Sequence, residues 1–196
     1  MQAAQLNEYG GTEVLEIAEA PEPHPGPGQV RIVVHAASIN PIDWKIRAGY
    51  MQGEGPAPFP LILGNDAAGV VDEIGEGVSG VNLGDAVLGL GSQTNAEFAV
   101  LNAFVPKPRS LDWAEAAAIA VGAETTARAI GLVNLNAGDT LLIDGAAGGV
   151  GSVAVQLAVA RGYTVIGTAS ERNHDFLTQL GATPVVYGDG LVDRIR

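Results

Sequence analysis

The chain of 196 residues contains no cysteine. That excludes disulfides, thiolate nucleophiles and cysteine-ligated zinc. Positive charge is scarce too: 10 Lys and Arg stand against 22 Asp and Glu, for a net charge of −12. A surface of that sign repels nucleic acid and anionic lipid, so neither is an expected partner. An anionic ligand must then be held by a local device and not by the general field. The three histidines, His24, His35 and His174, fall in a proline turn, a strand and a helix, with no ligand spacing. No uncharged apolar run is long enough to cross a bilayer, and Met1-Gln2-Ala3-Ala4-Gln5-Leu6 carries neither a basic n-region nor an apolar h-region. The expectation is a soluble, cytoplasmic protein with no membrane partner.

Apolar residues and glycine are plentiful. The 47% hydrophobic content suffices for one large or two small cores, and the 27 glycines, without a period, imply many tight turns. The first part is β-rich. Val14-Leu15-Glu16-Ile17-Ala18 predicts a short strand, ended by the proline run from Pro21 to Gly28. Residues 29–36, 69–75, 83–89 and 96–100 predict further strands with glycine turns between them, which suggests a small barrel. Asn40-Pro41-Ile42-Asp43 predicts a helix start, with Asn as N-cap, Pro at the first helical position and an acid in the first turn. Asp112 followed by Glu115 predicts a capping box and an alanine-rich helix through Ala120, with a second helix from about Thr125 to Val133.

From Thr140 the pattern is strand, glycine loop, helix, strand, helix, strand. Thr140 to Ile143 is unalternating, as expected of a strand buried on both faces. Helices are expected over Gly149–Ala160 and Arg172–Leu180, and strands over Tyr163–Thr168 and Pro184–Tyr187. That βαβαβ order is the mononucleotide-binding half of a Rossmann domain. Its loop, Gly145-Ala146-Ala147-Gly148-Gly149-Val150-Gly151, has small residues where backbone must approach a pyrophosphate at a helix N-terminus. NAD-specific folds place an acid at the end of the second strand. Here Thr168-Ala169-Ser170-Glu171-Arg172 ends the strand without one, and Ser170 and Arg172 suit a 2′-phosphate. Glu171 takes the NAD role if the strand runs longer, and Arg172 has a solvated alternative. The cofactor expected is NADPH.

Gly138-Asp139, Leu142, Ala146-Ala147-Gly148-Gly149-Val150-Gly151 and Gln156 together resemble the signature of the zinc-independent quinone oxidoreductase/ζ-crystallin family of the medium-chain dehydrogenase/reductase superfamily. Val159 is a minor departure from it. Asn40-Pro41-Ile42-Asp43, Arg47-Ala48-Gly49, Gly64-Asn65-Asp66-Ala67-Ala68-Gly69, Gly84-Asp85 with Val87, and Thr126-Ala127 are similar to other motifs of the family. The resemblance implies an α/β chain: a GroES-like β-barrel domain over residues 1–123, then the first βαβαβ half of a Rossmann NADP(H)-binding domain over 124–196. It also implies hydride transfer from NADPH to a small-molecule quinone or activated enone. Zinc-dependent relatives carry a Cys near the Asn40 position and Gly-His-Glu where this chain has Gly64-Asn65-Asp66, so no metal is expected.

The resemblance puts Asn40 and Asp43 near the nicotinamide and substrate, Thr126 near the cofactor and Tyr187 beside the adenine end. Plainer roles stand beside these. Asn40 serves equally as an N-cap and Asp43 as a complement to the helix dipole. Thr126 also fits a helix surface, and Tyr187 a packed strand. Trp44 and Tyr50 fit either a pocket for a flat substrate or core packing. Two other classes remain open: a nucleotide-binding or structural, crystallin-like protein without turnover, and an enoyl or 2-alkenal reductase. Only one half of a dinucleotide fold is present, so the expectation is a truncated chain, a homo-oligomer or one completed by a missing C-terminal half.

Overall fold

In chain order the strands of the first part are β1 (Gln2–Leu6), β2 (Leu15–Glu19), β3 (Val30–Ala37), β4 (Leu61–Ile62), β5 (Asp66–Ile74), β6 (Ala86–Ser92) and β7 (Phe98–Pro106). The helices there are α1 (Pro41–Arg47) and α2 (Trp113–Ala117), and α3 (Ala120–Gly131) follows. Strands β8 (Thr140–Ile143), β9 (Thr164–Thr168) and β10 (Thr183–Val185) alternate with α4 (Gly149–Ala160), α5 (His174–Gln179) and α6 (Leu191–Ile195). The computed structural model describes residues 1–53 and 59–196. Two compact units result, Met1–Val121 and Gly122–Arg196.

Alternation builds the first unit. In β3, Val30 and Ile32 are fully buried while Arg31 and Val33 between and beyond them are not, as a strand with one face on a core requires. Strand β3 pairs with β5 and β7, and β6 joins those two, so four antiparallel strands close a barrel. Val30, Ile32, Val71, Val87 and Leu101 fill it, each at most 1% exposed. Each such side chain contributes about 1.5–3 kcal/mol by leaving water. Outside the barrel, Arg31 holds β3 to β5 through a two-pronged bond to Asp72, 3.0 Å from Nε and 2.8 Å from Nη2. That hydrogen bonding raises the Arg31 pKa further above its already high range, so the guanidinium stays charged.

Alanine lets α2 sit close to the barrel wall: Ala116 and Ala117 pack on Ala68 and Leu88. The capping box at Asp112 forms, with Asp112 Oδ1 accepting from the Glu115 N–H at 2.8 Å. The helix it opens is shorter than the sequence predicts. It stops at Ala117, and α3 starts at Ala120 instead of near Thr125. The cause is long-range: the N–H of Val121, an orphan donor in the first turn of α3, is taken by Asp66 Oδ2 at 2.9 Å. The short strands β1 and β4, which pair with each other, also fall where no strand is predicted.

In the second unit β8, β9 and β10 are parallel, in the order β10-β9-β8. Val155 and Ala158 of α4 meet Val165 of β9 and Leu177 of α5 in the core. Strand β8 lies at the edge of this three-stranded sheet, with Leu141 and Ile143 turned toward the core and Leu142 42% exposed, so it is not buried on both faces as its composition suggests. An exposed apolar edge templates strand addition. Leu142→Lys should therefore lower self-association of this chain, read by sedimentation, while shifting stability by no more than about 0.5 kcal/mol. Unchanged association would show that the edge is not the adhesive surface. Among the described residues no helix is long and apolar enough to cross a membrane.

Candidate functional site

Strand β8 ends at Ile143 and α4 begins at Gly149, so five residues turn the chain from strand to helix. Thr168, the fully buried last residue of β9, pins that turn. Its Oγ accepts from the Gly145 N–H at 3.0 Å and donates to the Asp144 carboxylate, and its carbonyl accepts from the Ala146 N–H at 3.0 Å. Gly148 N–H closes a tight turn onto Gly145 O at 2.9 Å. The N–H groups of Ala147, Gly149 and Val150 have no acceptor among the described residues. They lie at the start of a 12-residue helix. Free N–H groups at the positive end of a helix dipole form a cradle for an anion.

A cleft of about 590 Å³ opens beside this turn, floored by Gly145, Ala147 and Gly148 and walled by Thr168, Ala169 and Ser170. Arg172, Asn173, Tyr187 and Asp144 complete it. Arg172 is exposed and makes no ion pair among the described residues. It stands in a single 3-10 turn, Glu171–Asn173, and not in the first turn of an α-helix as expected. Glu171 is not part of the cleft lining, because β9 ends at Thr168. Ser170 holds the turn: its Oγ accepts from Asn173 Nδ2 at 3.3 Å and its carbonyl from the Asn173 N–H at 2.9 Å.

Other sequence-predicted residues take distinct places. Ala146 is fully buried, its N–H committed to Thr168, so it supports the loop from beneath. Gly151 is buried against the loop and Val150 is 40% exposed. Thr126 is no helix-surface residue: it is 1% exposed and its hydroxyl donates to the Val150 carbonyl at 3.2 Å, tying α3 to the start of α4. Tyr187 lies past β10, which stops at Val185, and is exposed at the cleft rather than packed in a strand.

In the first unit, Asn40 takes the N-cap position of α1 and Pro41 the first helical one. The Asn40 side chain faces the Asp43 N–H in a capping box but makes no full hydrogen bond to the helix. Its Nδ2 donates to Asp66 Oδ1 and to Ser38 Oγ, both at 2.9 Å. The reciprocal half of the cap exists, since Asp43 Oδ2 accepts from the Asn40 N–H at 2.6 Å. Asp43 Oδ1 accepts from the Gly64 N–H at 3.2 Å and from Asn65 Nδ2 at 3.0 Å. Asp66 is fully buried and accepts from Ser38, Asn40 and Val121. Two buried carboxylates, 3% and 0% exposed, are thus bridged by one asparagine. Gly64 has φ +101°, and a Cβ there would meet Thr94 Oγ1 at 2.3 Å, so only glycine closes this loop. Trp44 and Tyr50 stay exposed and meet edge to face at 5.6 Å. Among the described residues no three His, Cys, Asp or Glu converge as a metal site would need.

Residues 26–102 match the alcohol dehydrogenase GroES-like domain family. A chloroplast envelope quinone oxidoreductase homolog of Arabidopsis thaliana is 39% identical, over 95% of this chain and 60% of its own length. The solved quinone oxidoreductase of Coxiella burnetii superposes with a TM-score of 0.86 at 37% identity, over 98% of this chain and 65% of that one. The chain belongs to the quinone oxidoreductase family of the medium-chain dehydrogenase/reductase superfamily. A mycobacterial structure solved in complex with NADPH also matches, with a TM-score of 0.84 and 28% identity over 96% of this chain and 60% of that one. The chain therefore spans about three fifths of the length of these relatives.

Within this quinone oxidoreductase fold, sequence reasoning passed over Asp144, Thr168 and Asn173 in the cleft and Ser38 and Asp66 in the first unit. A signal existed for the first two. Ligands of doubly wound sheets gather at the carboxyl ends of the strands, where Asp144 and Thr168 stand. Asp66 entered only within the motif Gly64 to Gly69 and its Gly64-Asn65-Asp66 triplet, with no role of its own.

Proposed function

We propose that the protein is an NADPH-dependent, zinc-independent oxidoreductase that delivers hydride to a quinone or an activated enone. The observation that carries the reading is Arg172: a guanidinium without an ion pair among the described residues, in a cleft beside a helix N-terminus, in a chain of net charge −12. Family membership and the NADPH-bound mycobacterial relative support it.

The residues present fit a dinucleotide. The N–H groups of Ala147, Gly149 and Val150 would bind the pyrophosphate, with Gly148 and Gly151 keeping the backbone close. Ser170 and Arg172 would take the 2′-phosphate, and the ring of Tyr187 the adenine. Thr126 acts indirectly, by fixing the Val150 carbonyl and with it the first turn of α4. Bound NADPH supplies the hydride; the protein supplies position and electrostatics. Asn40 has its amide N–H₂ occupied by Asp66 and Ser38, so a bond to cofactor or substrate would fall to its carbonyl oxygen, which also faces the Asp43 N–H in the capping box. Asp43 is a positioning residue, since both of its oxygens already accept and it is almost out of solvent. No cysteine is available as a zinc ligand.

Titration of the chain with NADPH and NADH tests the cofactor. Arg172→Ala should weaken NADPH binding by about 10- to 100-fold, the worth of charge-assisted bonds to a phosphate, and leave NADH unchanged. Equal loss for both nucleotides would remove the 2′-phosphate from the reading. NADPH oxidation with a simple quinone, run beside a 2-alkenal, tests the reaction. Protection against unfolding by NADPH without turnover of either substrate would make the protein a nucleotide binder.

A further inference from the structure

A carboxylate sits in a cleft proposed for a phosphorylated nucleotide. Asp144 lines the same cleft as Arg172 and is exposed. Its position is fixed: Oδ1 accepts from the Thr168 hydroxyl, whose oxygen is held in turn by the Gly145 N–H at 3.0 Å. Thr168 is itself fully buried, so the anchor does not swing. Asp144 Oδ2 accepts from no group among the described residues. An ionised carboxylate only accepts, so the ligand atom it meets must be a donor.

The fold indicates which donor. In this class of sheet the adenosine ribose hydroxyls lie off the carboxyl end of the second strand. Thr168 is the last residue of that strand, and Asp144 is bonded to it. If Arg172 takes a phosphate on the 2′ oxygen, the donor left on that ribose is the 3′-hydroxyl. A phosphate placed there instead would face a fixed negative charge, and like charges brought together at a recognition surface are strongly disfavoured.

We propose that Asp144 is a specificity-determining residue that accepts from the ribose 3′-hydroxyl of a 2′-phosphorylated adenosine nucleotide and rejects phosphate at the 3′ position. The inference rests on the nucleotide-binding reading above and adds a second, negative element to the positive one. Calorimetric titration of the whole chain with 2′,5′-ADP, 3′,5′-ADP and 5′-AMP tests it. The unaltered chain should prefer 2′,5′-ADP over 3′,5′-ADP by about tenfold or more. Asp144→Asn, which keeps an oxygen for the Thr168 hydroxyl, should cut that preference by about tenfold, chiefly by improving 3′,5′-ADP. Asp144→Ala should do the same. A preference unchanged in both variants overturns the assignment, as does an equal loss for all three nucleotides, which is what release of the loop alone produces. Failure of the unaltered chain to bind any of the three overturns the nucleotide reading itself, a result distinct from either.

Discussion

Gly151→Val should abolish nucleotide binding by the second unit and lower its stability by about 3 kcal/mol. A Cβ at Gly151 would lie 2.4 Å from the Gly145 carbonyl oxygen, 2.7 Å from Ala146 Cα and 2.9 Å from Ala146 C. All three are backbone atoms, so no side chain can rotate out of the way. The loop cannot retreat either, because Ala146 is fully buried and its N–H and that of Gly145 are both bonded to Thr168. The added side chain must therefore break those pins or push α4 away, and both displace the free N–H groups that form the anion cradle. Gly149→Ala is the internal control. Nothing lies within 4 Å of a Cβ there and the residue is helical, so the fold should gain about 0.5–1 kcal/mol. Thermal unfolding and NADPH titration of both variants check this. A destabilisation by Gly149→Ala as large as that by Gly151→Val would mean that the contacts at Gly151 are not what constrains the loop.

The contrast between those two glycines shows what was legible in the sequence. The run Gly145 to Gly151 announced a strand-to-helix turn with close backbone approach, because small residues in that context have few other uses. It did not say which glycine is sterically required, since that depends on where Gly145 and Ala146 fold back. Short strands with glycine turns between them made the barrel readable, and the unbroken order of strand and helix after Thr140 made the parallel sheet readable. Partners separated by long stretches of chain were not. Asp144 and Thr168 are 24 positions apart and meet only once the sheet forms. The break between α2 and α3 lies inside an alanine-rich run that gives no local reason to stop, and its cause, Asp66, is 55 residues from the N–H it caps.

Asp66→Ala should cost the first unit about 3 kcal/mol or more. Bonds to a buried charged acceptor are worth about 1.5–3 kcal/mol each, and removing the acceptor leaves buried donors unsatisfied. Asp66 serves three at once: the Ser38 hydroxyl, the Asn40 amide and the Val121 N–H. After the substitution Asn40 retains Ser38, but Val121 has no second acceptor among the described residues. The damage should spread along these links. Asn40 carries Asp43 through its own N–H, and Asp43 carries the Gly64–Asn65 turn, so the α1 entry and that turn should loosen together. Asp66→Asn separates geometry from charge. Its single carbonyl oxygen can keep one or two of the three donors, so it should lose about half as much. Urea unfolding of both variants reads the stability, and amide exchange at Val121 and Gly64 reads the spread. If Val121 exchanges faster while Gly64 stays as protected as before, the two carboxylates act separately and Asn40 does not bridge them.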